Sequence, residues 1–162
     1  MNRSDVYRAV FTNAVGFRAM LWRKLPLAAF AGLRVARLDE TGAEVTLPAG
    51  WKTQNPFGST YFAAQAMAAE MSTGAPALWF IAQTGVEVSS LVTGLSAKFT
   101  KRATSEARFV FSDGVAMRAA IDTAVGTGEP VVFTARSVGT QLDGTQVAEF
   151  SVDWSFKKKS NI

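Results

Sequence analysis

The sequence predicts an α+β domain in which one antiparallel β-sheet wraps around a central apolar α-helix, and three patterns carry that expectation. Between Ser59 and Thr73, Phe62, Ala63, Ala64, Ala66, Met67, Ala68, Ala69 and Met71 leave almost no polar face; a helix that is apolar all round belongs in an interior. Near the other end, Phe150, Val152, Trp154 and Phe156 alternate with Glu149, Ser151, Asp153 and Ser155, the period of a strand with one dry and one wet face. The chain also has 162 residues, of which 48% are hydrophobic and 19% charged, a balance that supports a core of its own. A sheet curling around a helix is the arrangement that buries that helix on every side.

The remaining elements follow in order. Ser4 and Asp5 open a helix in which Val6, Val10, Ala14, Phe17 and Leu21 recur at helical spacing, and Pro26 ends it, giving an N-terminal helix over residues 1–26. Leu33 to Leu38 and Ala43 to Leu47 flank the turn Asp39-Glu40-Thr41-Gly42 as a hairpin. Pro48 to Phe57 reads as a loop, followed by the central helix over 58–74, with Gly74 and Pro76 as its stop signals. Ala77 to Ala82 fits either a short helix or a strand. Strands are expected from about Val86 to Lys101 and from Glu106 to Ser112. A helical insert over 114–125, capped by Asp113, precedes a final hairpin turned at Asp143-Gly144. Gly126-Thr127-Gly128 reads as a turn, because it lacks the context of a phosphate loop. Lys157-Lys158-Lys159 reads as a solvated tail after the last strand. No repeat or linker divides the chain, so residues 1–162 are read as one domain.

Composition removes several chemistries. The chain has no cysteine and no histidine, which excludes disulfides, thiolate nucleophiles, Cys/His zinc sites and a Ser-His-Asp triad. No Asp-rich loop suggests a calcium or magnesium site, and no cofactor is called for. The polar start and the lack of an apolar run long enough to cross a bilayer point to a cytoplasmic protein without membrane insertion. The net charge is +4, and residues 1–37 hold seven Arg or Lys against Asp5 alone. That asymmetry is a solvated face or an attraction for a small anion, with nucleic acid the weakest of the three readings.

The segment Asn55-Pro56-Phe57-Gly58-Ser59-Thr60-Tyr61-Phe62-Ala63, followed by the Ala-rich helix and Glu70, resembles the signature of hotdog-fold thioesterases of the phenylacetate-degradation type. Asn55, Gly58 and Glu70 keep that signature's spacing, whereas Tyr61, Phe62 and Ala63 stand where it has His-Gly-Gly. The resemblance implies a hotdog fold and an acyl-CoA or similar thioester as substrate, with coenzyme A present only as part of it. It also implies a homodimer or dimer of dimers with the site between subunits. A hydroxyl from Ser89, Ser90 or Thr93, contributed across that interface, would then lie beside the carboxylate.

The residues themselves support a compatible chemistry. Thioester hydrolysis needs a base or nucleophile and a donor for the developing oxyanion. First-turn N–H groups near Tyr61 and Phe62 have no intrahelical acceptor and lie at the positive end of the helix dipole. Glu70 is the only Asp, Glu, Lys or Arg between Lys52 and Glu87, and burial would raise its pKa towards that of a useful base; alternatively it reaches solvent near the helix end. Asn55 either orients water or the thioester carbonyl, or starts a turn. Gly58 gives the chain room to enter the helix. Gln65 bonds a substrate or a neighbouring helix, and Tyr61 donates to the leaving sulfur or packs at a subunit seam. Lys101 and Arg102 either meet coenzyme A phosphates or form a charged strand end. The function expected is hydrolysis of a thioester with an apolar acyl group. The alternative is a non-catalytic protein that binds an acyl group or small hydrophobe on the same scaffold.

Overall fold

The computed structural model describes residues 3–159, in the order α1 (Arg3–Thr12), α2 (Ala14–Lys24), α3 (Pro26–Ala31), β1 (Arg34–Asp39), β2 (Gly42–Leu47), α4 (Phe62–Thr84), β3 (Val88–Phe99), β4 (Ala107–Phe111), α5 (Gly114–Thr127), β5 (Val131–Gln141) and β6 (Gln146–Lys158). The strands form one six-stranded antiparallel sheet in the order β1-β2-β4-β5-β6-β3. The sheet packs on α4, and α5 lies against α4, β5 and β6. This is the wrapped helix that the apolar composition of the central segment predicts.

Alternation in β6 sets the facing of the core. Phe150, Val152, Trp154 and Phe156 are all buried, and each pairs with residues of β5 and β3 on either side. Two hydrogen bonds fix α4 to this surface. Ser72 Oγ and Ser137 Oγ lie 2.8 Å apart, and the Trp154 indole N–H donates to Thr73 Oγ1 at 2.9 Å. Both pairs satisfy polar groups that burial would otherwise leave unpaired.

Several boundaries differ from the sequence expectation. The single N-terminal helix is two helices, because the Asn13 side chain accepts from the N–H groups of Val15 and Gly16 and starts α2 afresh. Residues 1 and 2 of the expected helix lie outside the described residues. The helical stretch does stop before Pro26, since α2 ends at Lys24 with Leu25 as its C-cap, but Pro26 then opens a further helix, α3, at a position where a missing N–H is harmless. The central helix begins at Phe62 rather than at 58 and continues through Gly74 and Pro76 to Thr84. Ala77 to Ala82 is therefore helical. Residues 71–77 of this helix are all buried, and packing on every side outweighs two local breakers whose effects are a few kcal/mol at most.

Smaller corrections concern the ends of the later elements. Asp113 occupies the cap position of α5 but makes no capping hydrogen bond with its side chain. Gly126 and Thr127 belong to α5, and Gly128 caps its C-terminus in the left-handed conformation. Lys157 and Lys158 are part of β6, paired with Ser89 and Val88, and Lys159 forms an ion pair with Glu87 at 3.5 Å. The basic run is the end of a strand rather than a tail beyond it.

β3 is an edge strand, 12 residues long. Its register shifts between Val92 and Gly94, leaving Thr93 as the extra residue of a bulge. Beyond the bulge Leu95 pairs with Val152 and Phe99 with Ala148, so both side chains share the face of the buried β6 residues. Leu95 and Phe99 are nevertheless 49% and 50% exposed. The inner face of the sheet is uncovered along this edge.

Candidate active site

Glu70, Gly74 and Leu78 follow one another at a spacing of four along α4 and so share one helix face. That face borders a cavity of about 470 Å³ whose other walls include Val6, Tyr7, Val10 and Phe11 of α1, Met20 and Lys24 of α2, and Trp154 of β6. Among the described residues, Glu70 and Lys24 are the only Asp, Glu, Lys or Arg in this wall. Burial among apolar groups pushes the Glu70 carboxyl above its usual value of 4.5. The carboxylate lies over Gly74, where an added Cβ would stand 3.1 Å from Glu70 Oε1 and 3.3 Å from Trp154 Cζ2. Thr73 braces the same turn: it accepts the Trp154 N–H and donates to the Glu70 carbonyl oxygen at 2.9 Å. These surroundings favour a carboxylate that takes up a proton.

A second cleft, of about 570 Å³, lies at the start of α4 and is bordered by Asn55, Tyr61, Phe62, Gln65, Lys101 and Arg102, among others. Tyr61 takes the cap position without a side-chain hydrogen bond, so the first-turn amides carry no side-chain cap. Tyr61 and Phe62 are 46% and 56% exposed, with their rings 4.8 Å apart. The Gln65 amide donates to the Thr60 carbonyl oxygen at 3.2 Å, while its Oε1 is buried without a partner among the described residues.

Asn55 uses its side chain within its own turn, accepting from the N–H groups of Phe57 and Ser59 and donating to Ser59 Oγ at 3.1 Å. Gly58 takes φ +71°, a backbone conformation that only glycine adopts freely. The Arg102 guanidinium donates to the Phe57 carbonyl oxygen, which holds it against this loop.

The two clefts do not merge within one chain. Phe62 and Glu70 are eight residues apart on one helix, or about 12 Å along its axis, too far for both to act on one carbonyl. Ser89, Ser90 and Thr93 also stand away from Glu70. None of the three borders its cavity; Ser89 faces the side of the sheet opposite Trp154, Ser90 borders a separate hollow beside Ile81, and the Thr93 hydroxyl donates to the Asp153 carbonyl oxygen at 3.3 Å.

The sequence alone does not single out Tyr7, Val10, Phe11 and Met20 as cavity walls, nor Thr73, Gly74 and Trp154 as supports of Glu70. A signal for the first group is present in the apolar stripe of the N-terminal region, which requires a surface to pack on. Gly74 instead reads as a stop signal, because the neighbour that needs its missing side chain, Trp154, lies far along the chain.

Fold and site geometry together define a hotdog-fold protein, with a six-stranded antiparallel sheet around a long central helix. The chain belongs to the family described as a domain of unknown function, DUF4442, which matches residues 14–155. No curated protein matches it. Among solved structures it is similar to a protein of unknown function from Pseudomonas aeruginosa described as a probable thioesterase, at 19% identity and a TM-score of 0.68 over 96% of each chain. It is also similar to a thioesterase from Haemophilus influenzae, at 12% identity and a TM-score of 0.64 over 90% of this chain and 91% of that one. A protein of unknown function from Chlorobaculum tepidum has a TM-score of 0.77 at 13% identity, covering 98% of both chains. At these identities the likeness establishes the fold.

Proposed function

We propose that this protein hydrolyses a thioester with an apolar acyl group, an acyl-CoA or a relative of it, with Glu70 as general base or nucleophile. The observation that carries this reading is the half-buried Glu70 carboxylate, raised in pKa, in the wall of an open apolar cavity. In the general-base route, Glu70 takes a proton from water and the water oxygen bonds to the thioester carbon. The carbonyl oxygen becomes an oxyanion; as the C–S bond breaks, the proton held by Glu70 passes to the sulfur, leaving a carboxylic acid that ionises and a free thiol.

The oxyanion donors in this reading are the first-turn amides near Tyr61 and Phe62, namely those of Phe62 and Ala63, because the Tyr61 N–H already donates to the Thr53 carbonyl oxygen at 2.7 Å. The separation along α4 requires that they come from a second subunit, with the open β3 edge as the place where two copies meet. A homodimer, or a dimer of dimers, is therefore part of the proposal. Ser89, Ser90 and Thr93 near that edge remain the hydroxyls available across the seam, Asn55 and Gly58 shape the loop before the amides, and Gln65 Oε1 offers an acceptor. Lys101 and Arg102, which border the same cleft, are proposed to meet the phosphates of coenzyme A. The protein is proposed to work in the cytoplasm, without cofactor or metal.

The test is turnover of a panel of acyl-CoAs by the native protein and by Glu70→Gln. Gln keeps the shape and removes the charge, so the rate should fall by at least roughly 100-fold with substrate binding retained. Equal rates in the two proteins would remove Glu70 from the mechanism. A second reading, a non-catalytic protein that binds acyl groups, is favoured by the replacement of His-Gly-Gly with Tyr61, Phe62 and Ala63. Binding without turnover in both proteins would establish it.

A further inference from the structure

The cavity beside Glu70 has one wall that the matched family segment does not supply. Residues 14–155 are matched, and α1, which provides Val6, Tyr7, Val10 and Phe11, precedes them. These four residues pair as i and i+4 on adjoining rows of one helix face. Phe11 anchors α1, being buried with its ring 5.7 Å from that of Phe17 and 6.4 Å from that of Tyr7. Val10 is left half-buried at the cavity.

We propose that this cavity holds a single unbranched aliphatic acyl chain, and that Val10 and Tyr7 of α1 are the residues that set the chain length accepted. The proposal rests on the acyl-group reading of the site. A volume of about 470 Å³ lies within the usual range of small-molecule sites. Met20 of α2 and Met71 of α4 also border it, flexible side chains that adapt to a flexible ligand better than to a rigid ring. Lys24, an exposed residue of the same wall, supplies a cation for the carboxylate of a fatty acid, while the hydrocarbon tail takes the apolar interior.

Binding of straight-chain fatty acids from butyrate to palmitate, measured by calorimetry with phenylacetate as the aromatic control, tests this without requiring turnover. Affinity should rise by about fourfold for each added methylene and then level off at the length the cavity accommodates. Val10→Trp should move that plateau to shorter chains and Val10→Ala to longer ones, with circular dichroism confirming that both variants fold. An affinity independent of chain length, tighter binding of phenylacetate than of any aliphatic acid, no binding at all, or an unchanged plateau in both folded variants would overturn the proposal. Thioester hydrolysis that ignores acyl length would remove this inference and leave the proposed function standing. Length-dependent binding without hydrolysis would do the reverse.

Discussion

The carboxylate of Glu70 and the indole of Trp154 meet across Gly74, which has no side chain to separate them: a methyl group there would stand 3.1 Å from Glu70 Oε1 and 3.3 Å from Trp154 Cζ2. Both distances are tighter than ordinary carbon contacts, so an alanine at this position must displace one neighbour by a few tenths of an ångström. The carboxylate, at the end of a flexible side chain, is the one that can move. Gly74→Ala should therefore lower turnover by about 10–100-fold through misplacement of Glu70, the proposed base. Stability should stay within about 1 kcal/mol of the native value, since alanine favours the helix by a comparable amount. Steady-state rates and urea midpoints on the same preparation separate the two effects.

Trp154 is the large residue that ties β6 to α4. Trp154→Ala should destabilise the protein by about 3–5 kcal/mol, the range for removing a core aromatic. Trp154→Phe keeps much of the packing and loses the 2.9 Å bond to Thr73, and that lost bond should contribute about 1 kcal/mol to its destabilisation. An unchanged denaturation midpoint for the alanine variant would contradict the burial of this ring.

Glu70 should leave a signature in the pH dependence of stability. Its carboxyl titrates above the ordinary 4.5 when folded, so between the two values the folded protein keeps a proton that the unfolded chain has lost. Stability therefore falls as pH rises from 4.5 through the folded pKa, and stays lowered above it. Glu70→Gln cannot ionise and should lack this fall. Thermal melts of the two proteins should converge at about pH 4, and the variant should gain relative to the native protein towards about pH 8. Parallel curves across that range would mean that the carboxyl is not desolvated.

The β3 edge gives a test of assembly. Leu95 and Phe99 face the inner side of the sheet yet remain half-exposed, and a charge on this surface should be tolerated by the single chain but not by an interface. Leu95→Arg should shift the sedimentation coefficient from that of a dimer towards that of a monomer at micromolar concentration, with little change in the circular dichroism spectrum. A native protein that is already monomeric at that concentration would leave Glu70 without its oxyanion donors.

Much of the fold is legible in the chain because its signals are local and periodic. The two-residue period of β6, the turns at Asp39 to Gly42 and at Asp143-Gly144, and the apolar surface around Ala64 to Ala69, interrupted by Gln65, each follow from a few neighbouring residues. Glu70 stands out locally as the only Asp, Glu, Lys or Arg between Lys52 and Glu87, and its spacing from Asn55 and Gly58 adds the resemblance to the thioesterase signature. Asn13 is different: it is a good helix cap, but it lies inside an apolar stripe that continues across it, and only the cap hydrogen bonds show that the helix restarts there.

The residue types, their periods and the solitary acid in an apolar helix determine that a sheet wraps a buried helix and that Glu70 is its one carboxylate. The tertiary structure alone decides how far that helix runs and what surrounds the acid. Gly74 and Pro76 are helix breakers by propensity, worth about 1 and about 3 kcal/mol respectively in an exposed helix. Here both are buried, Gly74 against Trp154, and packing on all sides holds the helix through them. The cavity likewise depends on α1 folding back over α4, with α2 packed against α1, a contact between distant segments that no local pattern encodes. Separation in sequence hides such contacts, because the energy that makes them comes from surfaces that meet only after the chain has folded.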